Sequence, residues 1–318
     1  MTTVTTQIKL TPEHSARPGV SMRSRLQDAL PKIVLAPSFA ITVVFVYGFI
    51  LWTVYLSFTN SKTFPSYALT GPRAYQRLWR WTFESDPPSS WYTSIINMGI
   101  FGFLYIFMCL ALGLFLAILL DQKIRGEGML RPIYLYPMAL SFIVTGVAWK
   151  WFLDPGLGLE QTLHQWGWTS FHFDWIKNKD FVIYTVVIAG VWQASGFIMA
   201  MFLAGLRGID GEIMKAAQID GATTFQLYRR IVIPLLRPIF LSAFIVLAHL
   251  AIKSYDLVVA LTSGGPGGSA WLPSNFMYEY TFKRNEMAVG SASAVIMLMT
   301  ITAIIVPYLY SELREKPR

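Results

Sequence analysis

His249, Lys253 and Asp256 recur at spacings of four and three in an otherwise apolar stretch, so one helical face would carry an imidazole, an ammonium and a carboxylate. Ionisable groups are costly inside a membrane and there commonly line a polar path. With Tyr255 beside them, and Trp192, Gln193 and Ser195 in a second apolar stretch, they can hydrogen-bond hydroxyl groups and offer aromatic faces to a polar solute. His249 and Gln193 lie deeper and are better placed on such a path. Lys253 and Asp256 have the alternative of neutralising each other near the outer end of their span.

Other chemistry is hard to build from this chain. No G-x-x-x-x-G-K-[ST] phosphate loop occurs, and the glycine-rich SGGPGGSA at 263–270 lacks the lysine that would hold phosphate. H-E-x-x-H, G-x-S-x-G and paired carboxylates are also missing, so no catalytic residue is assigned and no enzyme is expected. His164 and His172 read as two isolated histidines without metal-ligand spacing, and no metal site is expected. The single cysteine, Cys109, excludes an intrachain disulfide.

The elements that must position these residues are membrane spans. The chain is 54% hydrophobic and 14% charged, against roughly a quarter charged in soluble domains. A helix crosses a hydrocarbon core of roughly 30 Å with about 20 apolar residues. Six stretches qualify, at about 33–58, 94–120, 130–153, 181–206, 238–260 and 286–310. The fold class is therefore an all-α polytopic membrane protein: a tail over 1–32, a transmembrane domain over 33–310 containing a long loop at 207–237, and a tail over 311–318. At about 26 residues, the first apolar run is too long for a signal peptide and reads as a retained span.

The net charge of +8 reflects membrane orientation rather than nucleic-acid binding. The two tails and the loops after spans two and four hold sixteen basic residues, and the three alternate loops hold eight. Basic residues are retained on the cytoplasmic side, which puts both termini and the 207–237 loop there. The segment SRLQDALPK at 24–32 has the pattern of a short surface helix leading into span one. Lys150, between Trp149 and Trp151, has the pattern of an outer-interface anchor. The aromatic outer loops around 75–92 and 164–175 read as packing at the lipid surface, with docking of an external protein as the alternative for the second.

The 207–237 loop is patterned as folded structure. Glu212 suits the first turn of a helix through GEIMKAAQI, in which Ala216 and Ala217 are strong helix formers that permit close approach. Gly221 interrupts that helix. Thr223 and Gln226 have capping-box spacing and start a second helix, with Phe225, Tyr228, Ile231 and Val232 on one side; Pro234 and Pro238 end it. Two short helices that expose small and apolar residues fit a protein partner, or a pair lying on lipid headgroups near Arg229 and Arg230.

GEIMKAAQIDGATTFQLYRRIVIPLLRP resembles the E-A-A-x-x-x-G loop of bacterial ATP-binding-cassette import permeases, in the sugar-uptake branch. Ala216, Ala217, Asp220, Gly221, Ala222, Ile231, Pro234 and Pro238 fall in register with it. Lys215 replaces the motif glutamate, which puts any salt bridge made by that glutamate in doubt, and Asp210 stands where many relatives have proline. WQASGFIMAMFLAGL before the loop and YDLVVALTSGGPGGSA after span five also look like this branch, the latter like its first-listed permease subunit.

The resemblance covers about residues 30–315 and implies a six-helix type I importer fold in the bacterial inner membrane. It also implies a second permease subunit, an ATPase dimer that binds ATP and Mg, and an extracytoplasmic sugar-binding protein, with no cofactor on this chain. The implied docking loop comprises Glu212, Lys215, Ala216, Ala217, Asp220, Gly221, Ala222, Phe225 and Pro234. Gly221→Pro or Ala217→Trp is then expected to abolish ATPase association while leaving the protein in the membrane. GGPGGSAWLPSNFMYEYTF looks most like glucose/mannose-type permeases. The competing readings are a permease for another polar solute, such as a glycerol phosphate or polyamine, and a stand-alone secondary transporter. The latter implies matched broken helices, for which the two halves show no matching Gly/Pro interruptions.

Overall fold

A computed structural model of the chain describes residues 32, 34–83, 89–122 and 126–314. The segment 24–31, expected to be a surface helix, lies outside the described residues, as do Lys123, Arg125 and the last four residues. The described chain is helical, with one isolated antiparallel bridge between Thr59 and Leu69.

The helices run α1 Val34–Ser57, α2 Arg73–Phe83, α3 Ser90–Asp121, α4 Glu127–Ala139, α5 Phe142–Phe152, α6 Leu159–Gln165 and α7 Val182–Arg207. They continue as α8 Gly211–Ile219, α9 Thr224–Leu235, α10 Arg237–Ile252, α11 Tyr255–Thr262, α12 Pro273–Tyr278 and α13 Met287–Arg314. Four of them (α1, α3, α7 and α13) are long and apolar enough to cross a membrane, or six spans result if the bent pairs α4/α5 and α9/α10 each count as one. The pairs bend by 101° and 64°. Helix α1 is continuous but widens to π-helical hydrogen bonding at Val43–Tyr47.

Helix α7 is the centre of the second unit of the chain, Thr53–Arg318. Its buried residues run its whole length, from Val182 to Leu206, and it packs along α3. Two apolar helices gain little hydrophobic energy by pairing in lipid, so close contact through small residues has to hold them. Glycines provide that contact. A Cβ on Gly113 of α3 would fall 2.7 Å from Ile198 Cγ2 and 3.0 Å from the Met199 backbone nitrogen, and one on Gly190 would meet the Tyr105 ring at 3.3 Å. A Cβ on Gly196 would fall 1.7 Å from the Tyr134 carbonyl oxygen of α4. On the side of the 207–237 loop, Arg207 pairs with Glu127, which also pairs with Arg131, tying the end of α7 to the start of α4.

Two breaks interrupt otherwise apolar helices. Between α4 and α5 the chain leaves the helix at Leu140, and Ser141 caps α5 by accepting from Val144 N at 3.3 Å. Between α10 and α11 the helix ends at Ile252 and restarts at Tyr255, with the Ser254 hydroxyl donating to Leu250 O at 2.8 Å and Asn275 Nδ2 to Tyr255 O at 3.4 Å. Irregular backbone is tolerated at membrane depth only where its polar groups are satisfied by protein or a cavity, and these bonds do so. The half-helices α5 and α11 then pack on each other, so closely that a Cβ on Gly146 would lie 2.6 Å from Ala260 Cβ.

These breaks correct one expectation. Span five is not one helix through 260, so His249, Lys253 and Asp256 do not share a single helical face: His249 is on α10, Lys253 caps its C-terminus, and Asp256 opens α11. Neither break holds a glycine or proline at the break itself: one falls at Leu140–Ser141 and the other at Lys253–Ser254.

Candidate functional site

The 207–237 loop is a closed set of local hydrogen bonds. Asp210 caps α8, its carboxylate accepting from Glu212 N at 2.9 Å, and Glu212 adds a second negative charge to the first turn. The D-G-A element ends α8 in a Schellman motif. Gly221 takes the left-handed conformation at φ +80°, Gly221 N donates to Gln218 O at 3.1 Å, and Ala222 N donates to Ala217 O at 3.0 Å. Thr223 and Gln226 complete the capping box: Thr223 N donates to Gln226 Oε1 at 3.0 Å and Gln226 N to Thr223 Oγ1 at 3.3 Å. Helix α9 then passes through a π-helical stretch at Tyr228–Val232 before Pro234.

The loop has two sides. Ala217, Leu227, Val232 and Leu236 are buried in the same apolar core as α3 and α7, with Met214, Ala222, Tyr228 and Ile231 partly buried against it. Turned outward are Ile213, Ala216, Ile219 (85% exposed) and Phe225 (71% exposed), together with Glu212, Lys215 and Asp220. Phe225 was expected to share a side with Tyr228, Ile231 and Val232; it points away from them. Ala217 was expected to report on docking, but it faces this chain's own core, so tryptophan there would disturb the chain itself. Lys215 makes no hydrogen bond or ion pair among the described residues.

The proposed path residues divide differently. Gln193 is buried, and its Nε2 donates to Leu140 O at 2.8 Å, so it satisfies the carbonyl freed by the α4/α5 break, while its Oε1 has no partner. Gln193→Ala is expected to cost about 1–3 kcal/mol by orphaning the Leu140 carbonyl, read as a lowered thermal midpoint of the purified chain. Trp192 is 40% exposed and meets Trp149 edge-on, with ring centroids 5.8 Å apart; Ser195 is half-buried. His249 is exposed beside an apolar crevice formed with Ile245, Ile252, Ile301 and Ile304. Lys253 and Asp256 are both exposed, and no ion pair joins them.

Tyr255 opens on a cavity of about 220 Å³, with Trp271, Tyr278, Asn275, Glu279 and Lys283 in its wall. Ser263 and Gly264 bring the start of the glycine-rich turn to its lining; in that turn Gly264, Gly265, Gly267 and Gly268 take positive φ and Trp271 packs against Gly264 and Gly268. Asn97 of α3 holds this turn by donating to Ser269 O at 2.7 Å and Trp271 O at 3.0 Å. Sequence reasoning passed over Asn97, although a lone amide in an apolar run was a visible signal.

The chain has relatives among known proteins in sequence and in fold. A probable ABC transporter permease protein of Pyrococcus horikoshii is 40% identical over 298 residues, covering 92% of this chain and all of that protein. The xylose/arabinose import permease protein of Haloferax volcanii is 36% identical over 213 residues, covering 65% of this chain and 66% of that one. A chain from the crystal structure of a bacterial ABC transporter that imports the acidic polysaccharide alginate shares the fold, with a TM-score of 0.78 at 17% identity over 93% of this chain and 99% of that chain. Residues 109–315 match the family described as binding-protein-dependent transport system inner membrane component, and this chain belongs to that family of ABC importer permeases.

Proposed function

We propose that this chain is one of two permease subunits of an ATP-driven, binding-protein-dependent sugar importer, and that 207–237 is the surface through which a separate ATPase dimer moves its helices. The observation that carries this reading is the loop: a capped helix, a Schellman turn and a second capped helix, fastened to the transmembrane core by Ala217, Leu227 and Val232 and presenting Ile219 and Phe225 outward. Burying one such side chain is worth about 1.5–3 kcal/mol, and a rigid mount transmits displacement to α7 and α10.

ATP and Mg belong to the ATPase, and the sugar arrives on an extracytoplasmic binding protein. Alternating access follows when closure of the ATPases favours one arrangement of the helices and nucleotide release the other. Both termini lie in the cytoplasm on the charge bias. A sugar substrate is supported by the xylose/arabinose relative and by the sugar-branch motifs; a glucose/mannose-type monosaccharide is the specific reading of residues 264–282.

Reconstitution of the chain with its second permease, ATPase and binding protein tests this. Glucose- or mannose-loaded binding protein is expected to stimulate ATP hydrolysis and uptake together, and the single chain to pass no sugar. Stimulation only by a binding protein loaded with a glycerol phosphate or polyamine would replace the substrate class. Sugar flux through the single chain would overturn the importer assignment.

A further inference from the structure

Between α5 and α7 the chain doubles back on α6 and brings together three groups that are scattered in sequence. Glu160 and His164 lie one helical turn apart on α6. The return is fixed by Trp168 N donating to Leu163 O at 2.9 Å, by Phe173 N donating to Glu160 Oε2 at 3.0 Å, and by stacking of Phe171, Phe173 and Trp175. His172 thereby places Nδ1 3.2 Å from Glu160 Oε1, and its ring stands edge-on to that of His164 with centroids 5.7 Å apart. One ligand atom from each of Glu160, His164 and His172 lies within 4.8 Å of the other two.

We propose that Glu160, His164 and His172 form a binding site for a divalent transition metal, Zn²⁺ being the best fit, with a fourth position open to water. Zinc bonds to imidazole nitrogen and carboxylate oxygen of about 2.0–2.2 Å set tetrahedral ligand separations near 3.4 Å. His172 and Glu160 are already at that spacing. His164 completes the set within the same 4.8 Å, and the His172 side chain is 75% exposed and can turn toward it.

The ligand chemistry suits the ion. Two imidazoles and one carboxylate form the mixed nitrogen and oxygen set that zinc accepts with an open position. Bound ligands must be deprotonated. Phe173 N donates to Glu160 Oε2, which leaves Oε1 facing His172. His164 Nε2 is hydrogen-bonded to Phe171 O at 2.7 Å, the kind of backbone contact that fixes ring plane and tautomer at metal sites. Glu160 alone already fastens one histidine; the second imidazole within ligand distance is what a metal uses. The bound ion would fasten residues 160–172 at the mouth of α7.

The full chain in lipid nanodiscs, titrated with Zn²⁺ alone against a chromophoric chelator, is expected to bind one equivalent. Co²⁺ in its place is expected to give the visible absorption of a four-coordinate site. His172→Ala, at an exposed side chain, should weaken Zn²⁺ by more than about tenfold, at least the loss that follows removal of an outer partner. Asp180→Asn in the same segment should leave binding unchanged. Absence of a stoichiometric Zn²⁺ site, or undiminished affinity in His172→Ala with tryptophan emission unaltered, would overturn the proposal.

Discussion

Gly196→Ala is expected to be among the most damaging single-methyl changes in this protein. The added carbon would sit 1.7 Å from the Tyr134 carbonyl oxygen and 2.6 Å from the carbonyl carbon behind it. Both atoms are backbone of α4, so no rotamer change relieves the clash, and α7 must separate from α4. Overpacking with no outlet for the strain costs about 1–3 kcal/mol and occasionally more; a backbone obstacle puts this case at the upper end. Separation also withdraws Gln193, three residues away on α7, from the Leu140 carbonyl at the α4/α5 break. Gly99→Ala and Gly128→Ala supply the comparison, because an added Cβ meets nothing within 4 Å at either position. The thermal midpoint of the detergent-purified chain is expected to fall for Gly196→Ala and to stay level for the other two. Equal midpoints in all three would show that α4 and α7 are not in close backbone contact.

Gly221→Pro is the second change with a large expected effect, and it acts on function. Gly221 stands at φ +80°, whereas proline is locked near −65°, and proline also removes the N–H that closes the turn on Gln218 O. Losing the Schellman turn frees α8 from its register with α9, so Ile219 and Phe225 no longer present one surface. Phe225→Asp tests the same surface without touching the backbone. Phe225 is 71% exposed, so its loss leaves this chain's packing intact. Loss of about 2–3 kcal/mol of burial at a docking site corresponds to roughly 30- to 140-fold weaker association. Both variants are expected in the membrane at normal level, with co-purifying ATPase and sugar uptake reduced together. Normal assembly in Phe225→Asp would leave lipid headgroups as the neighbour of that face.

What could be read from the sequence follows the range of the interactions that set it. The capping box at Thr223 and Gln226 and the turn at Gly221 depend on partners within a few residues, and both appear as the local pattern implied. The two sides of the 207–237 loop were harder to assign. Which alanine faces inward depends on where α3 and α7 lie, and so Ala217 changed places with Ala216 as the outward probe. The break at Lys253–Ser254 has no local mark. It is fastened by Asn275, twenty residues downstream, and that removed the common face of His249, Lys253 and Asp256. Gln193 reads as a path residue from its depth in the span; its Nε2 bond to the freed carbonyl of Leu140 depends on where α4 breaks, which no local pattern shows. The approach of His172 to Glu160 was illegible for the same reason as the break: a fold-back of twelve residues has no periodicity to reveal it.

The account rests most heavily on 207–237 as the site of ATPase docking, and a photo-activatable cross-linker placed at Phe225 in the assembled complex tests it directly. The expected result is a cross-link from that position to the ATPase, lost when the complex is dissociated and absent from the same probe placed at exposed Trp166 in the α6–α7 segment. Cross-linking of the Phe225 probe to lipid alone, in a complex that still hydrolyses ATP and transports sugar, would contradict it.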